Sequence, residues 1–149
     1  MAKFNPTATY DDANLILRLY DMRREERMRE ARAWFTVNFQ ASTMEEFLKL
    51  CPLGSKENAN YRQVISYWDM TASFVTAGVL GEDIFFESNR ELLVVYTRLE
   101  KLIPAIREAY KDPYVMKNLE TVAKNFIEWM NKRAPESYAA FASRISLSK

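Results

Sequence analysis

The run 58–79 restricts the possible folds more than any other stretch of the chain. At 100° per residue, Tyr61, Val64, Ile65, Trp68, Ala72, Val75 and Val79 form one wide apolar face. Tyr67, Met70 and Phe74 form a second apolar row beside it. The remaining polar strip is narrow: Arg62, Ser66, Asp69, Ser73 and Thr76. A helix that is apolar round most of its circumference needs neighbours on several sides. The run therefore predicts an all-α bundle with 58–79 as its central buried helix.

The rest of the chain agrees with that class. Only 3 Gly and 5 Pro in 149 residues leave little room for a loop-rich or all-β fold. A chain of this length forms one domain and buries enough surface for a core. No short alternating run reads as a strand, and no repeat or low-complexity linker divides the chain. About six helices are expected within a single domain, 1–149. After an irregular lead-in (1–8), Thr9 caps a long helix over 10–39, with Asp11 and Asp12 in its first turn. At 1.5 Å per residue that rod is roughly 45 Å long, more than the bundle needs. Ser42/Thr43 with Glu45/Glu46 resembles a capping box and opens a short helix at 44–50. Gly78 and Gly81 close the central helix, and 82–87 adds a turn or two. Ser88 with Glu91 opens a helix over 89–110, with Leu92 to Tyr110 on one face and a bend at Pro104. Asp112–Pro113 restarts the chain as N-cap and first helical residue of 114–132. A last short helix follows Pro135, with a frayed tail at 146–149.

The chemistry available is restricted by the absence of histidine. Ser-His-Asp and Cys-His catalysis, HExxH zinc sites and the Glu-x-x-His pairs of di-iron bundles all require it. One cysteine, Cys51, allows no internal disulfide or multi-Cys metal site, and the end of a short helix is an unfavourable place for a thiolate. Gly54-Ser55-Lys56 lacks the spacing of a phosphate loop. Glu82, Asp83, Glu87 and Glu91 are close enough in sequence to hold a hard cation, but acidic helix caps explain them better. Asp69, flanked by Ser66 and Ser73 and two turns from Arg62, is the candidate acid, base or ligand group, beside Trp68. The segment 21–32 carries five Arg among four acids, which favours a solvated or partner-facing helix over a phosphate contact. Trp34, Phe35 and Phe39 beyond it are either core or an end that docks on another copy.

The net charge of +1 gives no global field for nucleic acid. No run approaches the 18 or so apolar residues of a membrane span, and the first residues contain no signal-peptide core, so a cytoplasmic protein is expected. The order of a long charged helix, the Tyr67–Met70 motif, the turn and aromatics of Gly78–Phe86 and the Phe126–Trp129 region resembles a bacterial family of helical domains of unknown function. That resemblance spans 23–140. Members often carry an N-terminal membrane helix, which this sequence lacks, and the resemblance implies a helical fold with no activity attached. The combined expectation is a non-enzymatic interaction or scaffold module that self-associates, as a dimer, without cofactor or metal. Its interaction or ligand positions are Arg62, Asp69, Trp68, Trp34 and Phe35. The alternative is a small-molecule sensor with an aromatic cleft near Trp68. A carboxylate-dependent hydrolase ranks third.

Overall fold

The computed structural model of the protein describes residues 8–146, and these form nine helices and no strand. The expected lead-in and tail lie outside the described residues, apart from Ala8 and Ser146. In chain order the helices are α1 (Tyr10–Arg23), α2 (Glu26–Asn38), α3 (Met44–Leu50), α4 (Lys56–Thr76), α5 (Glu82–Ser88), α6 (Glu91–Leu99), α7 (Ile103–Tyr110), α8 (Lys117–Arg133) and α9 (Ser137–Ser146).

The central helix is α4. It packs most extensively against α2 and α8, while α6 and α9 pack on α8 and on each other. Val64, Trp68 and Ala72 on its wide face are completely buried, and Tyr61, Ile65 and Tyr67 nearly so. The hub is shifted from its expected bounds. Ser55 caps it by accepting the Asn58 N–H at 3.1 Å. It ends at Thr76, where Gly78 takes a φ of 77°. That left-handed residue, which costs glycine no Cβ clash, lets the N–H groups of Val79 and Leu80 both reach the Phe74 carbonyl at 2.9 Å. Val79 is carried out of the core as a result and is 63% exposed.

Two aromatic clusters flank the hub. Phe39 stacks on Phe35 (4.6 Å) and Tyr61 (5.4 Å), and Phe47 meets Tyr61 edge-on, so α2, α3 and α4 converge on one ring. Phe86 stacks on Phe126 at 4.4 Å and lies against Trp129, which binds α5 to α8.

Nine helices replace the expected six because two long helices are broken and the expected turn or two after Gly81 is a helix of its own, α5. The rod over 10–39 is interrupted at Arg24–Glu25. Both Glu25 carboxylate oxygens accept backbone N–H groups, from Arg27 and Met28 at 3.0 Å, so a glutamate acts as the N-cap of α2. The bend turns α2 onto α4 and makes Phe35 and Phe39 core. The helix over 89–110 breaks at Glu100–Leu102, one turn before Pro104. Proline has no N–H for the Glu100 carbonyl and its ring crowds that group, so α6 stops at Leu99 and Pro104 sits in the first turn of α7. Tyr110, expected on the inner face, is exposed. Ser88 does not cap the next helix; it ends α5, and the buried Asn89 donates to the Phe85 carbonyl.

If Phe39 is the meeting point of three helices, Phe39→Ala costs about 3–5 kcal/mol in urea unfolding. Val37→Ala, on the exposed side of the same helix, stays within about 0.5 kcal/mol.

Candidate functional site

The polar strip of α4 is where the sequence places possible chemistry, and each of its members has a structural partner. Helix α8 begins without a cap of its own. Asp112 accepts the Tyr114 N–H at 2.9 Å, but the chain then passes through Met116 in the left-handed region (φ 57°), and α8 starts at Lys117 rather than at Pro113. The missing acceptor comes from across the bundle. The half-buried Asp69 of α4 takes the Leu119 N–H on Oδ1 at 3.0 Å. One heptad on, Thr76 Oγ donates to Asn118 Oδ1 at 2.7 Å. A negative carboxylate at this helix start is favoured by both the unpaired N–H groups and the helix dipole.

The other strip residues are engaged elsewhere. Arg62 is exposed and its Nε donates to Asn58 Oδ1 at 3.0 Å, while Asn58 Nδ2 donates to the Cys51 carbonyl. Arg62 and Asp69 therefore support different helix junctions. Trp68 is 0% exposed, edge-on to Tyr67 at 4.9 Å, with the Arg23 guanidinium 5.5 Å from its ring. Its indole N–H is buried with no hydrogen-bond partner among the described residues. Phe35 is 1% exposed, and Trp34 is half-buried, edge-on to Phe39. Burial, aided by the charge of Glu57, pushes the Cys51 thiol up to about 11, so at neutral pH it is protonated and a poor nucleophile.

The acidic run is dispersed in the same way. Glu82 accepts from Asn125 at 3.0 Å, Glu87 pairs with Arg133 and Glu91 pairs with Arg32. No group of three or more potential metal ligands occurs among the described residues. The Arg-rich segment is also used internally. Arg32 grips Glu91 through two bonds (2.8 and 3.0 Å) and donates to the Arg23 carbonyl at the end of α1, and Arg27 donates to Asn60 at 2.7 Å.

One joint went unrecognised in the sequence. Asp12 completes the cap of α1 with Thr9, and its other oxygen accepts the Gly81 N–H at 2.9 Å where α5 begins. A Cβ on Gly81 would meet Ile84 and the Asp12 carboxylate at ordinary contact distance, so the glycine is not required for space. The signal present in the sequence, an acid three residues after Thr9, identifies the local cap; nothing local identifies the second acceptor. The Gly81 N–H, then the Thr9 backbone and hydroxyl, hold the Asp12 carboxyl below its usual range.

Trp68 lines none of three surface depressions among the described residues. One lies beside α7 among Pro104, Arg107 and Lys111, where Arg107 pairs with Glu120 and Lys111 with Glu108. The other two flank α9.

The model of a family described as a domain of unknown function, DUF4760, matches residues 8–141. The chain belongs to the DUF4760 family. No curated protein and no solved structure matches it. The DUF4760 match covers α1 through the first half of α9, so both Asp12 and Asp69 lie within the family domain. No helix of the described residues is long and apolar enough to cross a membrane.

These joints predict two outcomes. Asp69→Ala costs about 0.5–2 kcal/mol and speeds hydrogen exchange at the Leu119 amide, while Asp69→Asn, which keeps an acceptor, loses less. The folded-state pKa of Asp12 is lowered, so its stabilisation is present above the unfolded value of 3.8 and is lost as pH falls through the lower folded value. Urea unfolding from pH 6 downward is expected to show a flatter acid limb in Asp12→Asn than in the parent.

Proposed function

We propose that this protein is a non-enzymatic interaction module that pairs with a second copy of itself through the outer face of α1. The observation that carries the reading is the stripe of Tyr10, Leu17 and Tyr20. The first two are 80% and 61% exposed, and Tyr20 is 45% exposed with the Arg23 and Arg24 guanidiniums against its ring. Their separations of seven and three residues place them along one side of the helix, the spacing of a helix–helix seam. The opposite side of α1 is secured by Asp12 at its start, by Arg32 on its last carbonyl and by the Tyr67 hydroxyl, which donates to the Leu19 carbonyl at 2.7 Å. The helix is fixed to the body while its outer stripe is left uncovered.

Charge supports a two-fold, antiparallel arrangement. The exposed Asp11 lies near the start of α1, while Arg18, Arg23 and Arg24 outnumber the exposed Asp21 towards and just beyond its end. Antiparallel pairing sets the basic end of each copy against the acidic end of the other, with the same patch used on both sides. The non-enzymatic part of the reading is supported by the occupation of the candidate chemical groups: Asp69 caps α8, Cys51 is held protonated, and Glu82, Glu87 and Glu91 have separate partners. A ligand cleft beside Trp68 draws no support from a ring with no exposed surface.

Light scattering on a size-exclusion column at micromolar protein tests the proposal. The parent chain is expected to run as a dimer and Leu17→Glu as a monomer with an unchanged circular dichroism spectrum. A parent chain that is monomeric across the concentration range sinks the reading.

A further inference from the structure

The two depressions beside α9 lie between that helix and α2 (the smaller) or the α2–α3 connection (the larger), on a floor supplied by α6. The smaller, about 260 Å³, has apolar walls of Val94, Phe141 and Ile145, with Thr36 and the exposed Arg144 at its edge. The larger, about 620 Å³, is within the size range of small-molecule sites and includes Lys101 and Tyr138. Arg98 and Ile145 line both, so an apolar slot and a polar basin meet at one guanidinium.

Arg98 is an unusual cation. It is half-buried, its Nη1 donates to the Phe39 carbonyl at 3.0 Å, and its Nε is buried without a partner. It makes no ion pair with a carboxylate among the described residues, although Arg32, Arg107 and Arg133 all do. The bond to Phe39 satisfies the end of α2 and holds the side chain in place, but a carbonyl does not neutralise its charge. A partly buried charge with no counter-ion is costly, and a bound anion offsets that cost. Two acids line the larger basin. Glu46 is already engaged, accepting the Ser42 N–H at 2.8 Å, and Glu100 is exposed. The exposed Lys101 adds a second cation on the same basin, and the Tyr138 hydroxyl is 3.2 Å from Thr97 Oγ.

We infer that the groove beside α9 binds a single-chain amphiphile with a carboxylate head, the head against Arg98 and Lys101 and the chain against Val94, Phe141 and Ile145. The polarity of the groove selects this class. An uncharged chain leaves Arg98 uncompensated, and a small anion leaves the apolar slot empty. This site is separate from the outer stripe of α1 and does not rest on self-association.

Isothermal titration of the full chain with octanoate, 1-octanol and acetate tests it, alongside Arg98→Gln and Lys101→Glu. Octanoate is expected to bind at one site, with octanol and acetate each weaker by about tenfold or more, the loss expected for a charge-assisted hydrogen bond or for the buried chain. Each substitution weakens octanoate by about tenfold and leaves octanol unchanged. Arg98→Gln also removes the contact to Phe39, so Lys101→Glu, on an exposed side chain, keeps the test valid if the first variant does not fold. Octanol binding as tightly as octanoate, octanoate binding indifferent to Lys101→Glu, or no octanoate binding by the parent chain would each overturn the assignment.

Discussion

With α2 on one side and α8 on the other, α4 has no apolar face left to offer, and the remaining architecture follows from that double burial. Trp68, Val64 and Ala72 are completely enclosed, so the neighbouring helices must approach closely along the length of α4. Each neighbour then has to begin and end where the geometry of α4 requires, whether or not its own sequence supplies a cap there. Side chains from other elements make up the difference. Asp69 caps α8, Asp12 serves α5 as well as α1, Arg32 holds the end of α1, and Arg98 holds the end of α2. These four side chains act as fasteners between helix termini, where unpaired backbone groups are most costly to leave unsatisfied.

This use of polar residues explains where the most suggestive polar groups of the sequence go in the fold. Asp69 with Arg62 two turns away reads as a functional pair on a helical wheel. In space each is directed to a different junction, Arg62 through Asn58 to the end of α3 and Asp69 to the start of α8. The acids 82–91 separate for a similar reason: α5 and α6 are distinct helices, and their carboxylates meet partners on α2 and α8.

How much of this was legible depends on how far each determinant lies along the chain. The all-α class, the burial of α4 and the Thr9 and Thr43 caps rest on residues within four positions of one another, and the sequence shows them. The start of α8 departs from its local signature: Asp112–Pro113 has the usual form of a helix start, whereas the operative acceptor, Asp69, is 50 residues away. The break in the first helix was missed because glutamate is not among the preferred N-cap residues. Glu25 takes the role within a charged segment whose helical pairs are partly repulsive. The second partner of Asp12 and the lack of an ion pair between Arg98 and any carboxylate of the described residues depend on tertiary contacts alone.

The break at Arg24–Glu25 matters most for function because it decides which aromatic residues are available to a partner. In one continuous rod, Trp34 and Phe35 would extend beyond the bundle and need a second subunit to cover them. With the bend, α2 lies along α4, Phe35 stacks within the Phe39 cluster, and that end of the chain satisfies itself. The uncovered apolar surface moves to the other side of the break, onto α1, where Leu19 is the only hydrophobic side chain fully buried and Tyr10 and Leu17 face outward. Any surface through which this helix recruits a partner must therefore lie before the bend. The polar joints of Asp12 and Arg32 hold α1 in register without covering it.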